Sequence, residues 1–178
     1  MKKQILFPII TFVASVCLLL ALSLGLKNVA VANAYKTELK VMQTLLPDST
    51  TFEKEEYSGE DDNIVSVHKG ETGYVIETKV YGYADDIRIM VALTLEGSVR
   101  GIMVLEMHET FGLGLNALRD HKFLSQFFGS SEQMQVGDTI DAITGATVTS
   151  KAITKAVNSA IAYITGADID SGATEWGA

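Results

Sequence analysis

From Ile5 to Leu26 the sequence carries no charged side chain. This run constrains the fold more than any other feature. About 20 consecutive apolar residues are enough to span a bilayer as a helix. A chain of 178 residues then has room for one modest domain besides that segment. Lys2 and Lys3 precede the run and favour a cytoplasmic N-terminus, which puts the remainder outside. Pro8 is acceptable in a first helical turn. A cleaved signal peptide is the rival reading, since Ala30-Val31-Ala32 and Ala32-Asn33-Ala34 both look like small-residue cleavage sites. The run, however, exceeds the usual apolar region of about 7–15 residues. The expectation is therefore an uncleaved anchor over residues 1–27, a juxtamembrane helix or linker over 28–50, one exported domain over 51–166, and a tail over 167–178.

Charge narrows the function. The net charge of −8 and pI of about 4.8 argue against nucleic acid as a partner, because no basic patch is available to neutralise phosphates. The one cysteine, Cys17, sits in the apolar run. The chain therefore has no disulfide framework and no cysteine cluster for zinc or iron–sulfur. Cys17 reads as a small buried or lipid-facing residue.

Beyond the run, Lys27 to Leu46 reads as a helix leaving the membrane, with Leu39, Met42, Leu45 and Leu46 on one side and Pro47 and Asp48 stopping it. The acidic stretch Glu53 to Asp62 reads as a solvated strand edge or loop. Strand-like runs follow at Ile64–His68, Tyr74–Val80, Ile87–Leu95 and Val99–Met107. In the third, Ile87, Ile89, Val91, Leu93 and Leu95 alternate with Arg88, Met90, Ala92, Thr94 and Glu96, the period of a strand with one buried face. Glu96-Gly97-Ser98 reads as a tight hairpin turn. Ala117 to Phe128 reads as a short amphipathic helix with Phe123, Leu124, Phe127 and Phe128 on its apolar side, ended by Gly129. A last strand is expected at Gln135–Ile140. These elements predict an α+β domain, with a mostly antiparallel curved sheet carrying helices on one side.

That last run leads into Asp141-Ala142-Ile143-Thr144-Gly145-Ala146-Thr147-Val148-Thr149-Ser150. After it, Ala152, Ile153, Ala156, Val157, Ala160, Ile161 and Ile164 form a helical stripe. The decapeptide is thus a strand-to-helix connection, with Thr147 at or next to the N-cap. Thr144, Thr147 and Thr149 are all plausible caps, and Gly145 can serve a turn. The small residues at 144–146 also let another molecule approach the backbone. A helix N-terminus there seats a phosphate, worth roughly 0.3–1 kcal/mol for an exposed anion.

A second segment, His108-Glu109-Thr110-Phe111-Gly112-Leu113-Gly114, admits several readings. His108-Glu109 starts like a zinc-binding His-Glu-x-x-His, but Gly112 stands at the second histidine position, and His68 and His121 have no ligand spacing. Gly112-Leu113-Gly114-Leu115-Asn116-Ala117 formally fits a dinucleotide fingerprint, yet no βαβ unit surrounds it. Taken alone, the segment is a glycine-rich loop before a short helix.

Together the two segments resemble a known pattern. Asp141-x-x-Thr144-Gly145-Ala146-Thr147 is similar to the flavinylation motif of the FMN-binding domain family. Glu109-Thr110-x-Gly112-Leu113-Gly114 is similar to that family's second signature, with Phe111 where the family usually has proline. The family includes the G subunit of the Rnf electron-transport complex and the C subunit of the sodium-pumping NADH:quinone reductase, and the shortness of this chain fits the former better. The resemblance implies that a flavin transferase recognises the motif from Asp141 onward and joins FMN through its phosphate to Thr147. It also implies that Glu109, Thr110, Gly112, Leu113, Gly114, Thr144, Gly145 and Ala146 belong to the cofactor site. It further implies an electron carrier in a membrane-bound ferredoxin:NAD oxidoreductase complex, contributing to ion translocation beside other subunits. A copy of the motif, Asp168-Ile169-Asp170-Ser171-Gly172-Ala173-Thr174, lies in the tail with no helix expected after it, so Thr147 ranks above Thr174. No nucleophile–base set such as Gly-x-Ser-x-Gly is present. Two other readings stay open: a free-standing membrane-anchored flavoprotein feeding another reductase, and a non-redox interaction module.

Overall fold

The computed structural model describes residues 2–108 and 121–167, and of residues 2–11, 23–31 and 34 the backbone alone. The first helix, α1, runs unbroken over Lys2–Leu45. The expected anchor and juxtamembrane helix are therefore one helix, which Gly25 does not interrupt. Residues 12–22 are exposed throughout. Among the described residues, no helix is long and apolar enough to cross a membrane. The chain forms two compact units, Met1–Lys40 and Val41–Ala178. Pro47 follows the last helical turn, where Leu46 N–H still reaches Met42 O at 2.8 Å.

The second unit is built on a five-stranded antiparallel sheet in sequence order: β1 Phe52–Glu55, β2 Ile64–Gly70, β3 Gly73–Tyr81, β4 Asp86–Thr94 and β5 Val99–Met107. β1 lies inside the acidic stretch and is an edge strand, paired on one side only, through Phe52↔Gly70 to Glu55↔Val67. The β4–β5 turn falls where the sequence puts it, with Gly97 at φ 85°, a conformation that costs glycine nothing.

One face of the sheet is apolar. Val67, Ile76, Val91, Ile89, Ile87 and Leu93 pack with Ile153, Val157, Ala160 and Ile161 of the closing helix α3, Thr147–Thr165. The other face is not the solvent face that simple alternation predicts. Met90 and Ala92 are as buried as their β4 neighbours, and so are Val75, Ser66, His68 and Glu77. The last turn of α1 reaches this side. A Cβ on Gly101 would stand 3.0 Å from Leu45, and Met42 and Leu46 are buried. Helical structure thus covers both faces rather than one, because Met42, Leu45 and Leu46 supply a second apolar stripe.

A β-bulge interrupts β4–β5 pairing, where Ile89 faces Val104 and Arg88 faces Glu106. The extra residue reverses the alternation beyond it. Val104 and Met107 both reach the apolar core, while Glu106 stands opposite Arg88 on the other face.

Gln135–Ile140 is not a strand. It is a turn closed by an isolated bridge, Val136↔Ile140, with Gly137 at φ 91°. Side chains satisfy the flanking backbone that a ladder would otherwise take. Asn158, buried on α3, accepts from Met134 N–H at 3.0 Å and donates to Met134 O at 2.7 Å. Of the expected helix over 117–128, α2 spans His121–Ser125, and residues 117–120 lie outside the described residues. Phe123 and Phe127 are buried and meet edge to face at 5.3 Å. Phe128 is exposed, because the chain turns at Gly129 to hydrogen-bond with Val99.

Candidate functional site

The decapeptide is built by local rules. Ala146 N–H donates to Ile143 O at 2.9 Å, which closes a four-residue turn with Gly145 at φ 78°. That is a type II turn, whose third position requires a positive φ and hence glycine. Ala146 is the N-cap of α3 and makes no side-chain capping bond. Thr147 is the first residue of a 19-residue helix. None of the three threonines acts as the cap that one reading allows.

The exposure pattern separates structural from available groups. Asp141, Thr144, Gly145 and Thr147 are exposed, whereas Ala146 is buried. The Thr147 hydroxyl therefore stands in solvent at the positive end of a long helix, behind a turn of small residues. A phosphate is the group such a place accepts most readily. Beside it is a cleft of about 300 Å3, lined by Lys122, Phe123, Gln126 and residues 141–144. These features fit the phosphate end of a flavin nucleotide.

Two side chains that sequence reasoning missed hold this turn. Gln126, just after α2, accepts from Asp141 N–H at 2.8 Å and donates to Asp141 O at 3.2 Å. Ser150, fully buried, accepts from Ile143 N–H at 3.1 Å and donates to Ala146 O at 2.9 Å. Nothing in the sequence marks Gln126. Ser150 closes the decapeptide, but only the fold aims its hydroxyl back at the turn.

The second motif, Glu109, Thr110, Gly112, Leu113 and Gly114, lies outside the described residues, as do Phe111 and the tail motif ending in Thr174. His108, the residue before it, is described and exposed. Its Nε2 lies 3.1 Å from Glu106 Oε1. Glu106 also accepts from Arg88 at 3.2 Å, and His108 and then Arg88 hold its carboxyl below the usual range. Arg88 binds Glu77 through Nε at 2.9 Å and through a second nitrogen. Ser66 donates to Glu77 at 3.3 Å and lies 3.2 Å from His68 Nε2. A ladder of polar side chains thus crosses the second face from buried His68 to exposed His108.

The comparisons with known proteins agree with this geometry. The sequence profile of the FMN-binding domain matches residues 82–162, from the turn before β4 into α3. The chain is 32% identical over 145 residues to the G subunit of the proton-translocating ferredoxin:NAD(+) oxidoreductase complex of Clostridium ljungdahlii, covering 77% of each chain. It is 30% identical over 139 residues to the G subunit of the ion-translocating oxidoreductase complex of Methanosarcina acetivorans, covering 70% of this chain and 73% of that one. It is 33% identical over 100 residues to the G subunit of the Na(+)-translocating ferredoxin:NAD(+) oxidoreductase complex of Acetobacterium woodii, over 50% of this chain and 47% of the relative. The chain belongs to the FMN-binding domain family, in the company of these G subunits.

Proposed function

We propose that the chain is the electron-carrying G subunit of a membrane-bound Rnf-type ferredoxin:NAD oxidoreductase complex and that it holds FMN by a phosphoester on Thr147. The observation that carries this reading is an exposed threonine hydroxyl on the first residue of a long helix, whose N-terminus no side chain caps. FMN supplies one-electron chemistry when bound. The protein residues bind and orient it. Gly145 in the turn presents no Cβ to an approaching phosphate, and the helix terminus stabilises the charge that remains on the diester. Glu109, Thr110, Gly112, Leu113 and Gly114 line the flavin side of the site.

Attachment needs a flavin transferase. The Thr147 Oγ attacks the flavin-bearing phosphorus and a new P–O bond forms. The hydroxyl proton leaves to a base of the transferase or to water. Free FMN offers only hydroxide as a leaving group, so the donor is a flavin dinucleotide whose phosphoanhydride breaks and releases a nucleoside monophosphate. Covalent attachment makes retention independent of the flavin concentration outside the cell.

The same reading makes α1 the membrane anchor, with the N-terminus cytoplasmic and the flavin domain extracytoplasmic. It rests on the uncharged run Ile5–Leu26 and on the exposed apolar side chains of Phe12, Leu18, Leu19 and Leu20. The named relatives belong to complexes that translocate different ions, protons in one and sodium in another, so the contribution to ion movement is proposed without naming the ion. The test is intact mass and in-gel flavin fluorescence after denaturation, on wild type, Thr147→Ala and Thr174→Ala, each made with an active flavin transferase. A gain of one FMN that only Thr147→Ala lacks is expected. Loss in Thr174→Ala alone moves the cofactor to the tail, and no flavin on any chain leaves an interaction module.

A further inference from the structure

The backbone before Thr147 is fixed at two points by side chains that no motif contains. Gln126 takes both backbone polar groups of Asp141, the N–H at 2.8 Å and the carbonyl at 3.2 Å. Ser150 takes the Ile143 N–H at 3.1 Å and the Ala146 carbonyl at 2.9 Å. The first clip comes from the α2 region and the second from α3 itself. Between them lie only Ala142, Thr144 and Gly145, with Thr147 one step beyond. An ester tether holds a cofactor by one end, so the isoalloxazine is placed only as well as the tether's origin is placed. A fluctuation of the turn displaces that origin and is carried along the whole flexible ribityl chain.

We infer that Gln126 and Ser150 are positioning residues for the flavin: by pinning the turn from Asp141 to Ala146 they fix the point from which the esterified cofactor reaches its pocket. This rests on the reading of Thr147 as the attachment residue. Gln126 is only partly buried, so its substitution leaves the core packing of Phe123 and Phe127 in place. Ser150 is buried without exposure, so its alanine variant is the second, independent probe.

The experiment uses the full chain made with a flavin transferase, as wild type, Gln126→Leu, Gln126→Glu and Ser150→Ala. Intact mass is read first and should show one FMN on all four. Visible-region circular dichroism and fluorescence anisotropy of the flavin follow, with its midpoint potential. Gln126→Leu and Ser150→Ala should each lose at least half of the flavin's induced dichroism, lower its anisotropy, and shift the midpoint toward that of free FMN. Gln126→Glu, which can still accept from Asp141 N–H, should fall between wild type and Gln126→Leu. A merely structural role would change the melting temperature and leave these signals of the loaded protein unchanged. Full loading with wild-type dichroism, anisotropy and midpoint in both Gln126→Leu and Ser150→Ala overturns the inference. If wild type carries no FMN, or Thr147→Ala retains it, the attachment reading itself fails, which is a different result.

Discussion

The two faces of the sheet do different work with similar burial. On the α3 face, Ile76, Ile89, Val91 and Leu93 join Ile153, Val157 and Ile161 in one apolar cluster. On the other face, Ser66, His68 and Glu77 are equally hidden, and Glu77 is neutralised by Arg88. The first face gains from area removed from water, which is non-directional. The second adds to its apolar burial a set of polar groups that gain only while each keeps its partner, because a buried charge without one is costly. The apolar face therefore secures the fold. The polar face fixes a geometry that ends at His108, where the second motif begins.

The largest expected effect comes from the apolar side. Ile153→Ala should lower unfolding free energy by about 2–5 kcal/mol, the usual range for a fully buried isoleucine, read by chemical unfolding followed by circular dichroism. Truncating a facing residue such as Ile89 as well should add to that loss. The ladder should behave in the opposite way. Arg88→Met should cost about 1–2 kcal/mol, less than a fully buried pair because the guanidinium is partly in solvent. Adding Glu77→Gln should then recover at least half of the loss. If the second substitution adds to the loss instead, the two faces do not differ in the way described.

A smaller effect tests how the sheet is joined to the end of α1. The Glu71 carboxylate accepts from the backbone N–H and hydroxyl of both Thr50 and Thr51. Its own backbone and the Thr51 hydroxyl hold its pKa at about 2, down from 4.5. A depressed carboxyl contributes stability that is present above its ordinary pKa and is lost as pH falls through the folded value. Glu71→Gln should therefore be less stable than wild type at neutral pH, and the gap should close between about 4.5 and about 2. A gap that persists at the acid end would show that the charge is not the operative feature. The smallest change expected is at Tyr163. Burial and the hydrogen bond to Glu55 raise its phenol to about 12, so its ultraviolet titration should lag behind that of a free phenol, a lag that Tyr163→Phe removes.

What could be read from the sequence was local. The stripe from Ala152 to Ile164 placed its residues correctly, and the alternation from Ile87 to Leu95 put Ile87, Ile89, Val91 and Leu93 in the core. Leu95, however, is exposed past the end of β4, and Met90 and Ala92 are buried on the other face. Gly145 and Thr147 were legible for the same reason, since a turn and a helix start are decided within a few residues. Gln135–Ile140 is a turn and not the expected strand because side chains take the backbone there, Thr139 that of Gln135 and Asn158, 24 positions away, that of flanking Met134. The ladder was invisible because Arg88 and Glu106 meet only through a register that includes a bulge. Gln126 was invisible because its partner is 15 residues away and glutamine has no characteristic spacing.

Twelve residues of α3 are buried, from Thr149 near its start to Ala162 near its end. A helix seated so deeply cannot slide or tilt without opening the core. Electron tunnelling falls steeply with distance, so a carrier has to close a gap to its donor and then to its acceptor. On the proposal that Thr147 carries the flavin, the attachment point is held in the domain, and two motions are left to close those gaps, the swing of the cofactor on its ester and the travel of the domain as a body.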